Sequence, residues 1–133
     1  EALLKAYEIT KNITYYNTAI SSASFIQNDL NRIQKGDNLF MFSYSPLDER
    51  AVYNATLLGS KTLALIYHYT KEIELKELAF ISIKAVCNEQ NIDGSFPHSD
   101  QVGQKWRDNF HTGFKLESIQ FYQKYFLYHY YLY

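Results

Sequence analysis

Cysteine occurs once in the 133 residues, at Cys87. A lone thiol excludes an internal disulfide framework, and the lack of a cysteine cluster excludes the usual zinc spacings. It lies in the apolar run AFISIKAVC and reads as a buried, inert thiol, compatible with a reducing cytoplasm. Glycine is scarce, at five residues, and none fits a phosphate-binding pattern. No cofactor is expected. Lys and Arg number 13 against 14 Asp and Glu, for a net charge of −1. With no basic excess to neutralise a phosphate backbone, nucleic acid is excluded as a partner. No run of 18 apolar residues occurs, so no membrane span is expected. The chain opens on Glu1 rather than Met, as a trimmed chain would.

Aromatic residues are abundant instead, at 17%, with 13 Tyr and 9 Phe. Tyr and Phe carry large apolar areas, and Tyr adds a polar tip. That suits thick helix interfaces or a groove that stacks sugar rings, and burial in the core is the default.

One motif occurs twice. Residues 34–40 read QKGDNLF and residues 90–96 read QNIDGSF, with Gln, Asp and Phe recurring 56 residues apart. Each copy follows an apolar, helix-like run. A repeat of about 55 residues points to stacked helix pairs. Apolar residues stepped by three and four predict helices over 1–11, 14–34, 47–69 and 73–89, and a fifth from 108 or 109 to at least 125. Gly36, Asp37 and Asn38 are expected to end the second helix. Ser45 and Pro46 are expected to start the third, with Asp48 in its first turn. The run LFMFSY at 39–44 has no evident hairpin partner and reads as an extended loop. The chain thus reads as one all-α domain of antiparallel helical hairpins, about five helices with no sheet.

The spacing and the turn chemistry resemble the (α/α)6 toroid enzymes of the six-hairpin and terpenoid-cyclase-like type. The turn itself resembles their QW-type turn, with Phe96 in the Trp position. That resemblance implies a structural role for Gln90, Gly94 and Phe96, and for Gln34 and Phe40 as a looser copy. The segments SYSPLDERAVYNATLLGS, QNIDGSF and KWRDNFHTGFKLE, at 43–60, 90–96 and 105–117, resemble bacterial toroid proteins encoded with polysaccharide-biosynthesis genes. A carbohydrate context is implied, with a glycoside hydrolase or polysaccharide lyase-like activity. A complete ring of six such repeats needs roughly 330 residues. The 133 here supply about two and a half, an incomplete toroid with open apolar edges. Self-association into a homo-oligomer is therefore expected, with the aromatic run at 121–133 as one such edge.

In toroids the starts of the inner helices line the central cavity. By that resemblance Asp108, His111 and Asp48 are the catalytic candidates, for proton transfer. Tyr44 and Trp106 are candidates to stack on a sugar, and Asn109, Asn54 and His98 to hydrogen-bond it. The plainer alternative stands beside each. Asp108, Asn109 or Asp48 caps a helix, Trp106 belongs to the core, and His111 is a satisfied histidine. His98, Asp100 and His111 fit no metal-ligand spacing, so no metal is expected. A non-catalytic helical scaffold that lacks a complete active site is the rival to the enzyme reading.

Overall fold

The computed structural model describes residues 1–126. Along them run helix α1 (Ala2–Thr10), helix α2 (Ile13–Asn28), strands β1 (Arg32–Gln34) and β2 (Phe40–Phe42), and helices α3 (Tyr53–Thr70), α4 (Ile73–Cys87) and α5 (Asn109–Phe126). The architecture is mainly α-helical with a small two-stranded antiparallel sheet. α3 is the hub. Its apolar residues leave little polar face, so it packs against α2, α4, α5 and β2. Leu57, Leu63, Ala64 and Ile66 are buried in it, opposite Leu75, Ala79 and Val86 of α4. Small residues let α3 and α4 approach closely. The hydroxyls of Ser60 and Ser82 meet at 2.6 Å, and both are fully buried. A second small cluster joins Leu4 of α1, Ala19 of α2 and Leu65 of α3.

Both helical hairpins close with the same turn. Tyr7-Glu8-Ile9-Thr10-Lys11-Asn12-Ile13 and Tyr67-His68-Tyr69-Thr70-Lys71-Glu72-Ile73 share the pattern Y-x-x-T-K-x-I. Lys11 and Lys71 are left-handed, with φ of 58° and 63°. Their N–H groups donate to Tyr7 O and Tyr67 O, each at 2.8 Å. Each lysine also lies over the tyrosine ring of its own turn, at 6.0 and 5.8 Å. The αL residue satisfies carbonyls that the helix end would otherwise leave open.

The repeated Gln–Asp–Phe segments likewise form one kind of turn. Lys35 N donates to Leu39 O at 2.8 Å, and Asn91 N donates to Ser95 O at 2.9 Å. The fifth residue of each copy has positive φ, 61° at Asn38 and 82° at Gly94. The closing phenylalanines Phe40 and Phe96 are both buried. In the second copy Gln90 Nε2 reaches back to Gly94 O at 2.8 Å and locks the loop. A Cβ at Gly94 would meet nothing closer than 4.0 Å, so its constraint is conformational alone. Gly94→Val is expected to cost about 1–2 kcal/mol, as β-branched residues resist positive φ. Gly94→Asn is expected to cost much less, since Asn holds the matching place in the first copy. Urea midpoints of the two variants check this.

Three expectations need correction. The first is the absence of a sheet: β1 and β2 pair antiparallel, with Arg32 opposite Phe42, Ile33 opposite Met41 and Gln34 opposite Phe40. Gly36 and Asn38 supply positive φ, which suits a hairpin reversal as well as a helix end. Helix α2 stops at Asn28, and Ile33 continues its three-and-four stepping only by coincidence. β2 is buried on both faces, which explains its uninterrupted FMF run. Gln34 accordingly sits in a strand and does not tie a helix end. The second concerns the start of α3, at Tyr53 instead of near Leu47. Ser45 and Asp48 close a turn of their own, through Ser45 Oγ donating to Asp48 Oδ2 at 2.7 Å. The third is Ser45 as a helix cap, since Val52 holds that place and forms an extended bridge to Ser99. Of the aromatic edge at 121–133, Tyr122 and Phe126 are buried against the core, and 127–133 lie outside the described residues.

Candidate functional site

The two long connections, from α2 to α3 and from α4 to α5, lie at the same end of the molecule and bond to each other. Val52 bridges Ser99. Tyr53 N donates to His98 O at 3.1 Å, so an open donor at the start of α3 is satisfied by the other connection. Lys35 of the hairpin turn pairs with Asp100. Between the connections opens a cleft of about 380 Å³, lined by Tyr44, Arg50, Val52, Asn54, His98, Gln104, Trp106 and His111. That is within the range of small-ligand sites.

One wall comes from the α2–α3 connection. Arg50 lies 5.2 Å over the Tyr44 ring. Asp48 aims that guanidinium, with Arg50 Nη2 donating to its Oδ2 at 2.9 Å and Arg50 N to its Oδ1 at 3.0 Å. Asp48 is therefore spent on Arg50 and Ser45 and does not line the cleft. Hydrogen bonds from Arg50 and Ser45 pull its carboxyl down to about 2. The carboxylate braces this turn above its ordinary value of 3.8, and the brace is lost as the pH falls toward 2. Asn31 Nδ2 holds the turn from outside, donating to Asp48 O at 2.9 Å.

The opposite wall is aromatic. Residues 98–106 fold back on themselves, with His98 N donating to Trp106 O at 3.0 Å and Ser99 N to Gln104 O at 3.1 Å. The His98 and Trp106 rings therefore stack, with centroids 4.1 Å apart and planes 13° from parallel. His111 stands edge-on to both, at 4.9 and 5.2 Å. Trp106 is 45% exposed, so it is a wall of the cleft and not core. Arg107 secures this loop to the Gln90 turn through Asp93 at 3.0 Å and Ser95 at 2.9 Å.

Asp108 does two things. Its Oδ1 accepts from His111 N at 2.8 Å, the bond of an N-cap to the third residue of α5. Its Oδ2 also lies 2.8 Å from His111 Nδ1. The His111 backbone bond leads in holding its carboxyl below the ordinary carboxylate value. An ionised carboxylate at Nδ1 places the ring proton there and leaves Nε2 as the acceptor. His98 is pushed below its ordinary value, first by burial and then by the positive charges near it. Two buried polar atoms of the lining, Asn54 Oδ1 and His98 Nδ1, have no hydrogen-bond partner among the described residues.

Of the residues expected at a site, Tyr44, Asn54, His98, Trp106 and His111 meet in this one cleft. Asp108 stands behind His111, Asp48 stands behind Arg50, and Asn109 is exposed outside the lining. Gln104 and Val52 belong to the site without a motif to announce them. Lys115 is also missing from the sequence reading. It is buried at 1% exposure, and its Nζ donates to Pro97 O at 2.8 Å. Its signal lay in spacing, since Lys115, Ser118, Tyr122 and Phe126 form the buried stripe of α5. Among the described residues no group of three or more His, Cys, Asp or Glu side chains is placed to hold a metal. No described helix is long and apolar enough to cross a membrane. No protein-family model, curated protein or solved structure matches the chain.

Proposed function

We propose that the cleft binds a carbohydrate and that His111, oriented by Asp108, moves a proton on the bound sugar. One observation carries this reading: five residues from separate stretches of the chain line a single cleft that combines aromatic faces with hydrogen-bonding groups. Trp106 and Tyr44 supply flat apolar faces for a sugar ring. Asn54, Gln104 and Arg50 supply its polar contacts. An imidazole whose Nδ1 proton is held by a carboxylate presents its Nε2 as a proton acceptor. Hydrolysis by paired carboxylates has less support, because no Asp or Glu among the described residues lines the cleft. A lyase-like elimination, begun by His111 taking a proton, fits the lining better. Further, the helical hairpins are the unit of an α/α toroid, of which this chain supplies part.

A glycan array probed with the wild type and with Trp106→Ala tests the binding. Signal from the wild type that Trp106→Ala loses supports it, and no wild-type binding to any glycan overturns it. A second reading, a non-catalytic scaffold, draws on the cap that Asp108 provides to α5. Asp108→Asn separates the two, because Asn also caps helices well but does not charge-pair with His111. Loss of glycan turnover with the fold intact favours the enzyme. Turnover equal to wild type removes the proton-transfer role.

The chain also exposes apolar side chains at hairpin edges, among them Ile9 at 83%, Ile73 at 58% and Phe80 at 51%. Such edges favour association. Light scattering at micromolar concentration is expected to give a mass above that of the 15.7 kDa chain, and a monomer mass contradicts this.

A further inference from the structure

Lys115 occupies a place on the inward stripe of α5 that the packing would normally give to an apolar residue. It is 1% exposed, and its hydrogen bond is to a neutral carbonyl, Pro97 O. No carboxylate among the described residues lies within ion-pair distance of it. A buried charge without a counter-ion is costly. The two things it touches explain its place. Pro97 directly precedes His98, which stacks on Trp106, and His111 lies one helical turn before Lys115. One ammonium thus joins the loop wall of the cleft to its helix wall.

We propose that Lys115 is the positioning residue of the cleft: it ties the segment bearing His98 and Trp106 to α5 beneath His111, and it keeps a positive charge behind the His98 ring. The functional meaning rests on the carbohydrate reading, but the geometry does not. Around His98, α5 and its N-cap present His111, Lys115 and Asp108, and the α2–α3 connection presents Arg50 in the same lining. From α3 come Asn54, which is uncharged, and Tyr53, whose hydroxyl is turned to Glu89 at 3.1 Å. Asp108 is the one acidic group acting on His98, and it is engaged by His111. Burial leads in favouring the neutral ring, with His111 and then Lys115 adding to it, and a neutral ring keeps an acceptor nitrogen for a donor on the ligand.

The test is NMR titration of His98, assigned with His98→Gln, in the wild type and in Lys115→Met, Lys115→Arg and Lys115→Gln. The wild-type midpoint is expected below 6.5. Met and Gln remove the charge and are expected to raise the midpoint toward 6.5, while Arg leaves it low. Amide exchange over 98–106 reads the tie separately. Exchange is expected to quicken in Lys115→Met and to stay near wild type in Lys115→Gln, whose amide still donates to Pro97 O. A His98 midpoint unchanged in folded Lys115→Met and Lys115→Gln overturns the electrostatic role. Unchanged exchange in Lys115→Met overturns the tie. Neither readout uses a ligand, so a failed glycan array leaves these results standing, and the reverse also holds.

Discussion

Phe96→Ala is expected to lower the unfolding free energy by about 3–5 kcal/mol, the usual cost of truncating a buried aromatic ring. Phe96 is 2% exposed and lies within the main hydrophobic cluster. It also closes the Gln90 turn, two residues before His98. The ring therefore fixes where the α4–α5 connection leaves the core, and its loss creates a cavity in the main hydrophobic cluster. A domain of this size has about 5–15 kcal/mol in total, so the variant is expected to be marginal at room temperature. Phe40→Ala, at the matching place of the first turn, is expected to behave similarly, since Phe40 is buried at 6% exposure. Urea denaturation measures both. A loss under about 1 kcal/mol at Phe96 would mean that the turn does not depend on its aromatic anchor.

Trp106→Ala is expected to do the opposite, weakening ligand binding strongly while changing stability little. Its ring is nearly half exposed, so the free protein gains less from burying it than from a core residue. The exposed face is where a sugar ring would be covered, and indole anchors of this kind commonly contribute about 2 kcal/mol, roughly thirtyfold in affinity. Truncation also removes the partner that holds His98 in its plane and the edge contact to His111. Calorimetric titration with a glycan bound by the wild type, next to a thermal melt, separates these effects. Equal losses in stability and binding would assign Trp106 to the core.

The helices were legible because their apolar residues step by three and four, and α1, α4 and α5 begin and end close to where the pattern places them. The likeness of the two Gln–Asp–Phe segments was legible too, as they share a backbone hydrogen bond and a positive φ, but the first closes a β-hairpin and only the second follows a helix. The hairpin was not legible. Gly36 and Asn38 stop a helix or turn a strand with equal ease, and only the burial of Phe40 and Phe42 decides between them. The Tyr–Thr–Lys–Ile turns at 7–13 and 67–73 were present as a plain pattern, yet they carry no Gly or Pro to mark a break. At the site, residue types pointed to Tyr44, Asn54, His98, Trp106 and His111. The roles of the carboxylates were hidden, because a side chain two or three residues away takes each of them. Lys115 was hidden for another reason. Lysine on a helix reads as solvated, and only the three-dimensional stripe it shares with Ser118, Tyr122 and Phe126 turns it inward.

The most direct measurement is an NMR titration of isotope-labelled protein with a panel of neutral, acidic and amino oligosaccharides. A binding saccharide is predicted to shift resonances of Tyr44 and Asn54 from one wall together with His98, Trp106 and His111 from the other, at a single saturating concentration. Shifts confined to one wall, shifts centred on the exposed face around Ile73 and Phe80, or no shifts with any saccharide would contradict a carbohydrate cleft shared by the two connections.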